Sequence, residues 1–172
     1  MTERKPQVVF ERLYREFGPE VLAFCRRRVE PDVADDVTAE TFLVVWRRLS
    51  DVPRSPRGWL LGIARLTLAN QLRSVRRRDA LIERVGWERS AEGGAADARP
   101  VIEALSCLSD LDQEALLLSA WDGLNSREAA QVLGCTPAAF RLRLHRARRR
   151  LERTLAAEPS DHPLRLPREE PT

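Results

Sequence analysis

The stretch Leu124–Arg150, LNSREAAQVLGCTPAAFRLRLHRARRR, decides the fold. It reads as two helices joined by a tight turn, the second loaded with arginine. Asn125 followed by Glu128 fits a capping box, in which the Asn side chain accepts from orphan amides of the first turn while the Glu reaches back to the cap's own N–H. The helix that starts there carries Ala129, Ala130 and Leu133 at helical spacing. It stops at Gly134, which adopts a left-handed conformation without steric cost. Thr136 then caps a second helix whose first position is Pro137, where a missing N–H costs nothing. Phe140, Leu144, Ala147 and Leu151 form one apolar stripe, and Arg141, His145, Arg148 and Arg149 lie off it. Small residues at Ala129, Ala130, Ala138 and Ala139 allow a close helix crossing. A short helix, a Gly turn and a basic second helix with an apolar back make a helix-turn-helix. A plain helical hairpin with a solvated basic face has the same charge; the caps and the turn favour the nucleic-acid-binding form.

Outward from that stretch, the chain of 172 residues has room for one domain or two small ones. A hydrophobic share of 43% against only 6% aromatic and 32% charged residues suits small helical bundles. Net charge is only +3, so any attraction to nucleic acid must come from local clustering. Lys5 is the only lysine among 29 basic residues, and the planar arginine fork suits phosphate and guanine edges. Cys25, Cys107 and Cys135 are odd in number and far apart, which suggests neither a disulfide framework nor a zinc site; each is expected to be a small buried residue. The N-terminal MTERKPQ lacks an apolar signal core, and no run approaches the ~20 apolar residues of a membrane span. The expected location is the cytoplasm.

In chain order, Val9, Leu13 and Phe17 predict a helix that breaks or kinks at Gly18-Pro19, because proline disfavours helical dihedrals in the residue before it. Asp32–Leu49 is a second helix, acidic at its start and basic at its end as the macrodipole prefers. Its apolar positions Val33, Val37, Thr41, Val44, Trp46 and Leu49 cover so much of its girth that it has two faces to satisfy, one in its own bundle and one on a partner. Asp51–Arg57 holds two prolines and reads as a loop. Gly58–Arg78 is a third helix, with Trp59 or Leu60, Ile63, Thr67 and Leu72 inward and a basic cluster of Arg73, Arg76, Arg77 and Arg78 at its end. Glu88–Arg99 is rich in Gly, Ala and charge and reads as a flexible linker. Beyond Pro100, a short helix through Leu108 and a Leu-rich helix after Ser109 back the helix-turn-helix. The expected fold is therefore all-α: two small helical domains, 8–85 and 101–156, joined by a linker at 86–100. The second is a helix-turn-helix of winged-helix-like or homeodomain-like size without strands. The proline-rich segment 157–172 is expected to be disordered.

The sequence carries no P-loop, zinc-protease, nucleophile-elbow or dinucleotide fingerprint. His145 and His162 are the only histidines. Asp35, Asp36 and Glu40 form an acidic cluster that the helix dipole or a basic partner surface explains without metal or acid–base chemistry. No catalytic residue, metal site or cofactor is expected, and the chain does not read as an enzyme.

Three segments taken together resemble the extracytoplasmic-function sigma factors, small two-domain initiation subunits of bacterial RNA polymerase. Ala34-Asp35-Asp36-Val37-Thr38-Ala39-Glu40-Thr41-Phe42-Leu43 with Trp46 is similar to the helix by which that family grips the polymerase clamp. Pro56-Arg57-Gly58-Trp59-Leu60 with Ile63-Ala64-Arg65 is similar to its promoter-opening segment. Ser126-Arg127-Glu128-Ala129-Ala130, Leu133-Gly134 and Arg143-Leu144-His145-Arg146-Ala147-Arg148 are similar to its upstream promoter reader. The resemblance spans about Phe10 to Leu155.

The resemblance implies core RNA polymerase and promoter DNA as partners, with an anti-sigma factor as a candidate third. It implies polymerase contacts at Asp35, Asp36, Glu40, Phe42, Leu43 and Trp46. Contacts to the downstream (-10) element would come from Arg57, Trp59, Thr67, Asn70, Arg73, Arg76 and Arg77, with Asn70 reading an extruded base. Contacts to the upstream (-35) element would come from Arg127, Ala138, Ala139, Arg141, Arg143, His145, Arg146 and Arg149. Two positions depart from the family pattern: Ala39 where Gln is frequent and Leu66 where Asn commonly follows Ile-Ala-Arg. Against this reading stand a free-standing helix-turn-helix regulator, which predicts a dimer on a palindrome, and a recombinase or nuclease, which predicts a scaffold with strands.

Overall fold

The computed structural model describes residues 6–82 and 99–157, and these contain helices and no strand. In order they are α1 (Pro6–Arg26), α2 (Pro31–Arg47), a 3-10 turn at Leu49–Asp51, α3 (Arg57–Ile82), α4 (Arg99–Ser106), α5 (Asp110–Ala120), α6 (Ser126–Leu133) and α7 (Pro137–Ala157). The linker expected at 86–100 falls, up to residue 98, outside the described residues, as does all but the first residue of the segment 157–172.

Helices α1, α2 and α3 pack on one another as a bundle. Of the break or kink expected at Gly18-Pro19 the break is absent, because α1 runs continuously from Pro6 to Arg26 with Pro19 inside it. A proline in a helix interior costs about 3 kcal/mol. On either side of it Leu13, Val21, Phe24 and Cys25 are all buried, and each large apolar side chain removed from water returns about 1.5–3 kcal/mol. Burial on both sides outweighs the local penalty. On α2 the inward face is Ala34, Val37, Thr38, Thr41, Phe42 and Val45. The two buried hydroxyls are satisfied within the helix, Thr38 Oγ1 donating to the Ala34 carbonyl and Thr41 Oγ1 to that of Val37, each at 2.7 Å. On α3 the buried run is Leu60, Leu61, Ile63, Ala64, Thr67 and Leu68, and Leu72, expected inward, is exposed. Burial on this helix ends one turn earlier than its apolar pattern does.

Helices α4 to α7 form the second group, in which α7 packs on α4, α5 and α6. The local chemistry of the decisive stretch is realised. Asn125 Oδ1 accepts from the Arg127 and Glu128 amides, and the Glu128 carboxylate accepts from the Asn125 amide at 3.0 Å. Gly134 sits at φ +66, and the Cys135 amide donates back to the Ala130 carbonyl at 2.9 Å. Thr136 Oγ1 accepts from the Ala139 amide. Phe140, Leu144 and Ala147 are buried, with Leu151 packed at the edge of the same cluster. The Ser109 hydroxyl caps α5 by accepting from the Asp112 amide.

Of the cysteines only Cys25 is buried; Cys107 and Cys135 are exposed, a correction with a simple cause. Cys107 follows the end of α4 and Cys135 lies in the helix-turn-helix turn, where the backbone closes and no neighbouring helix covers the side chain. Burial pushes the Cys25 thiol pKa up, against weaker lowering by Thr38 and Arg28.

Candidate nucleic-acid interface

Along α7 the residues off the apolar stripe stand in solvent: Ala138, Ala139, Arg141, His145, Arg146 and Arg149 are all exposed, as is Arg127 near the start of α6. Among the described residues no carboxylate pairs with Arg141, Arg146 or Arg149, so these guanidinium groups are available to phosphate. Arg148 is exposed and bonds the Ser119 hydroxyl at 3.4 Å. Arg143 is different. Its Nη1 lies 3.4 Å from the carboxylate of Asp112, which is nearly buried on α5 and also accepts from Arg150 Nη1 at 2.5 Å. Two arginines seven residues apart on α7 thus face one acid of α5, while the Arg143 side chain stays 39% exposed. Ala138 and Ala139, expected to ease the helix crossing, instead face solvent; the crossing is made by Ala129 and Ala130, both buried.

In the first group, Asn70 and Arg73 are exposed one turn apart on α3, and Arg73 Nη2 donates to Asn70 Oδ1 at 2.5 Å. Arg76 and Arg77 continue this helix, with side chains outside the described set. Thr67 is only 5% exposed and lies within the core of the bundle. Trp59 is half-buried, with the Arg48 guanidinium 5.7 Å from its ring centroid.

The outer face of α2 presents Asp35, Asp36, Glu40, Leu43 and Trp46. Leu43 and Trp46 are 56% and 42% exposed, large apolar groups that stand partly in solvent among the described residues. Phe42, expected among them, is turned inward at 3% exposure; its ring is met edge-on by Tyr14 at 4.8 Å and by Phe10 at 6.1 Å. It shapes the face from beneath. Phe10 also meets Trp46 edge-on at 5.2 Å, which holds the indole in place. Asp35 is paired with Arg26 at 3.1 Å, both side chains half in solvent.

The segment beginning α3 is not free, because α3 also packs against α6. The Gly58 and Gly62 positions, four apart on one helical face, meet that helix. A Cβ at Gly58 would lie 2.5 Å from Gln131 Oε1 and 2.8 and 2.9 Å from the backbone of Glu128, and one at Gly62 would lie 3.4 Å from the Gln131 carbonyl oxygen. Only glycine admits this approach at position 58.

Around these glycines runs a set of ion pairs. Arg57 donates from Nε to Glu20 at 2.7 Å, from Nη1 to Glu128 at 3.0 Å and from Nη2 to the Asp122 carbonyl at 3.2 Å. Its pKa is raised further above the ordinary arginine value, chiefly by the hydrogen bond to Glu20. Asp122, its carboxylate almost fully buried, accepts from both Arg27 and Arg28, the latter at 2.7 Å, and Arg28 also reaches Glu114 at 3.2 Å. Sequence reasoning assigned none of Glu20, Arg27, Arg28, Glu114, Asp122 or Gly62 a part. The pair of glycines four apart in the apolar first turns of α3 was the available sign.

Known proteins match on the same two groups of helices. The family description "Sigma-70 region 2" matches residues 13–78, and "Sigma-70, region 4" matches residues 98–151. The chain is 38% identical over 138 residues to the probable RNA polymerase sigma-C factor of Mycobacterium bovis, covering 74% of this chain and 72% of that one. It is 31% identical over 157 residues to the RNA polymerase sigma factor CarQ of Myxococcus xanthus, covering 87% and 90%. Among solved structures, the sigma factor RpoE in complex with the anti-sigma factor NepR from Bartonella quintana is similar at 25% identity and a TM-score of 0.62, over 87% of this chain and 98% of that one. CnrH in complex with the cytosolic domain of CnrY is similar at 28% identity and a TM-score of 0.59, over 89% and 91%. With both regions present in order on an all-helical fold, this chain belongs to the sigma-70 family, as an RNA polymerase sigma factor of the extracytoplasmic-function type.

Proposed function

We propose that the sigma activity of this chain is divided among three surfaces. The outer face of α2 recruits core RNA polymerase, the exposed side of α3 around Asn70 and Arg73 engages the downstream promoter element as it opens, and the solvent face of α7 reads the upstream element. The observation that carries the reading is the exposed face of α2: Leu43 and Trp46 stand in solvent beside Asp35, Asp36 and Glu40, an apolar patch with an acidic border suited to a basic protein partner.

On α7, Arg146 and Arg149 supply register through phosphates, while the apolar turn Pro137-Ala138-Ala139 makes few direct base contacts and leaves part of the specificity to DNA shape. On α3, extruding a base costs a few kcal/mol, which phosphate contacts nearby offset. Work with polymerase supports a cytoplasmic location. The similar structures that hold an anti-sigma factor support such a protein as a further partner.

The test is transcription in vitro with core polymerase over a genomic library and mapping of start sites. Specific starts that depend on this chain are expected. Leu43→Ala with Trp46→Ala should lower core affinity about tenfold or more, in line with the loss of two central apolar anchors, while leaving the melting temperature within a degree or two. Unchanged core affinity in that variant would move the recruitment surface elsewhere.

A further inference from the structure

Leu142 stands at the middle of the solvent face of α7 and is 50% exposed. An exposed leucine by itself says little, since much of any protein surface is apolar; its place on the helix says more. Leu142 is two residues from each of the buried Phe140 and Leu144, about 200° around the helix at ~100° per residue. It therefore points away from the core of the second group. Ala138, one turn before it, His145 and Arg146, one turn after, and Arg149, two turns after, share that side, and all are exposed. Arg148 lies on one flank, where it reaches the Ser119 hydroxyl, and Arg143 and Arg150 lie on the other, where they face Asp112. Leu142 also lines, with Ala139, Arg143 and Arg146, an open hollow of about 340 Å³ beside α5.

A recognition helix in the major groove meets base edges with its N-terminal residues, while contacts to phosphates fix its register. In the first two turns of its outward side this helix offers Ala138, Ala139 and Leu142, none of which has a side-chain donor or acceptor. Such side chains cannot read the hydrogen-bonding pattern of a base pair. The apolar group that base pairs present in the major groove is the C5-methyl of thymine. Charge brings a duplex to this patch, because Arg141, Arg146 and Arg149, all exposed, surround it. From this we infer that Leu142 is a specificity-determining residue of the upstream reader and selects thymine by apolar contact with its C5-methyl, with Ala138 and Ala139 small enough to let the helix approach. The inference rests on the proposed role of α7 in reading the upstream element and adds the base that it reads. Arg146 and Arg149 set the register on phosphates, and Leu142 discriminates.

The test uses the full chain bound to core polymerase and a duplex promoter taken from the mapped start sites. Each thymine of the upstream element is replaced in turn by deoxyuridine, which removes the methyl group and leaves the base pair and its hydrogen-bonding edges intact. At the contacted position promoter affinity should fall about fourfold, as for one apolar carbon taken out of contact. Leu142→Ala should weaken binding to the unmodified promoter by at least a similar factor and show little further loss with deoxyuridine at that position. Leu142→Gln should turn the preference there toward adenine, whose N6 and N7 a glutamine amide matches; loss of packing alone creates no new base preference. Because Leu142 is exposed, both variants should keep the wild-type melting temperature and core affinity. Deoxyuridine without effect at every thymine, or with an undiminished effect in Leu142→Ala, overturns the methyl contact, as does an upstream element with no thymine on either strand. An upstream element that tolerates scrambling without loss of binding is a separate failure, since it overturns the reading role of α7 itself.

Discussion

The two helical groups hold their helices by different means. In the first, α2 begins at Pro31 behind Glu30, which makes no side-chain cap bond, and α1 tolerates a proline in its interior. In the second, α5 starts on Ser109, α6 on the full box of Asn125 and Glu128, and α7 on Thr136. Length explains the contrast for α5 and α6, though not for α7, which at 21 residues is as long as α1. The helices α1, α2 and α3 have 21, 17 and 26 residues and each can bury several turns, whereas α5 and α6 have 11 and 8. A helix of two or three turns is marginal by itself, so a satisfied terminus is a large part of what keeps it folded.

The harshest way to sharpen that difference is to remove core volume from the first group. Phe24 is fully buried, with the Arg28 guanidinium 3.7 Å from its ring centroid. Phe24→Ala should cost about 3–5 kcal/mol, enough to lose the α1–α3 bundle in chemical denaturation while the capped helix-turn-helix keeps slow amide exchange. If both groups melt together with a single transition, the seam between α3 and α6 couples them more tightly than either core does. A smaller effect is expected from Gly134→Ala. At φ +66 a Cβ costs about 1–2 kcal/mol, and the loss should appear as faster exchange at the ends of α6 and α7 with α1 to α3 unchanged.

The same contrast accounts for what the sequence made legible. The helix-turn-helix was readable to the residue because its boundaries are set by neighbours in the chain: Asn125 with Glu128, Gly134, and Thr136 with Pro137. The exposed basic face followed from those boundaries, since fixing the first residue of α7 fixes which side Phe140, Leu144 and Ala147 occupy. In the first group the deciding interactions lie elsewhere in the chain. Local propensity placed a break at Pro19, and tertiary burial of Val21 and Phe24 overrode it. On α2, apolar over most of its girth, periodicity alone did not tell which aromatic turns inward; Phe42 does, met edge-on by Tyr14 of α1, while Trp46 meets only Phe10 among the described rings and stays partly out. The seam was least legible, because Arg57 and Glu128 are 71 residues apart and Arg28 and Asp122 are 94 apart. Charged residues so spaced look like ordinary solvated surface until the fold brings them together.

The gentlest test compares two helix starts directly. Asn125→Ala removes an acceptor that satisfies two orphan amides of α6 and leaves Glu128 to hold the Asn125 position amide alone. The expected cost is about 1 kcal/mol, read as a lower denaturation midpoint of the second group. Glu30→Ala at the start of α2 removes no cap bond and should shift the first group's midpoint by no more than a few tenths of a kcal/mol. Glu128 gives the comparison a second edge, because its carboxylate serves both the Asn125 amide and Arg57. Glu128→Gln keeps a side chain able to accept from the amide while weakening the pair across the seam. It should therefore leave α6 capped and raise the mobility of α6 against α3. A cap loss as large as that of Asn125→Ala would instead mean that the carboxylate charge, and not the side-chain oxygen, is what the start of α6 needs.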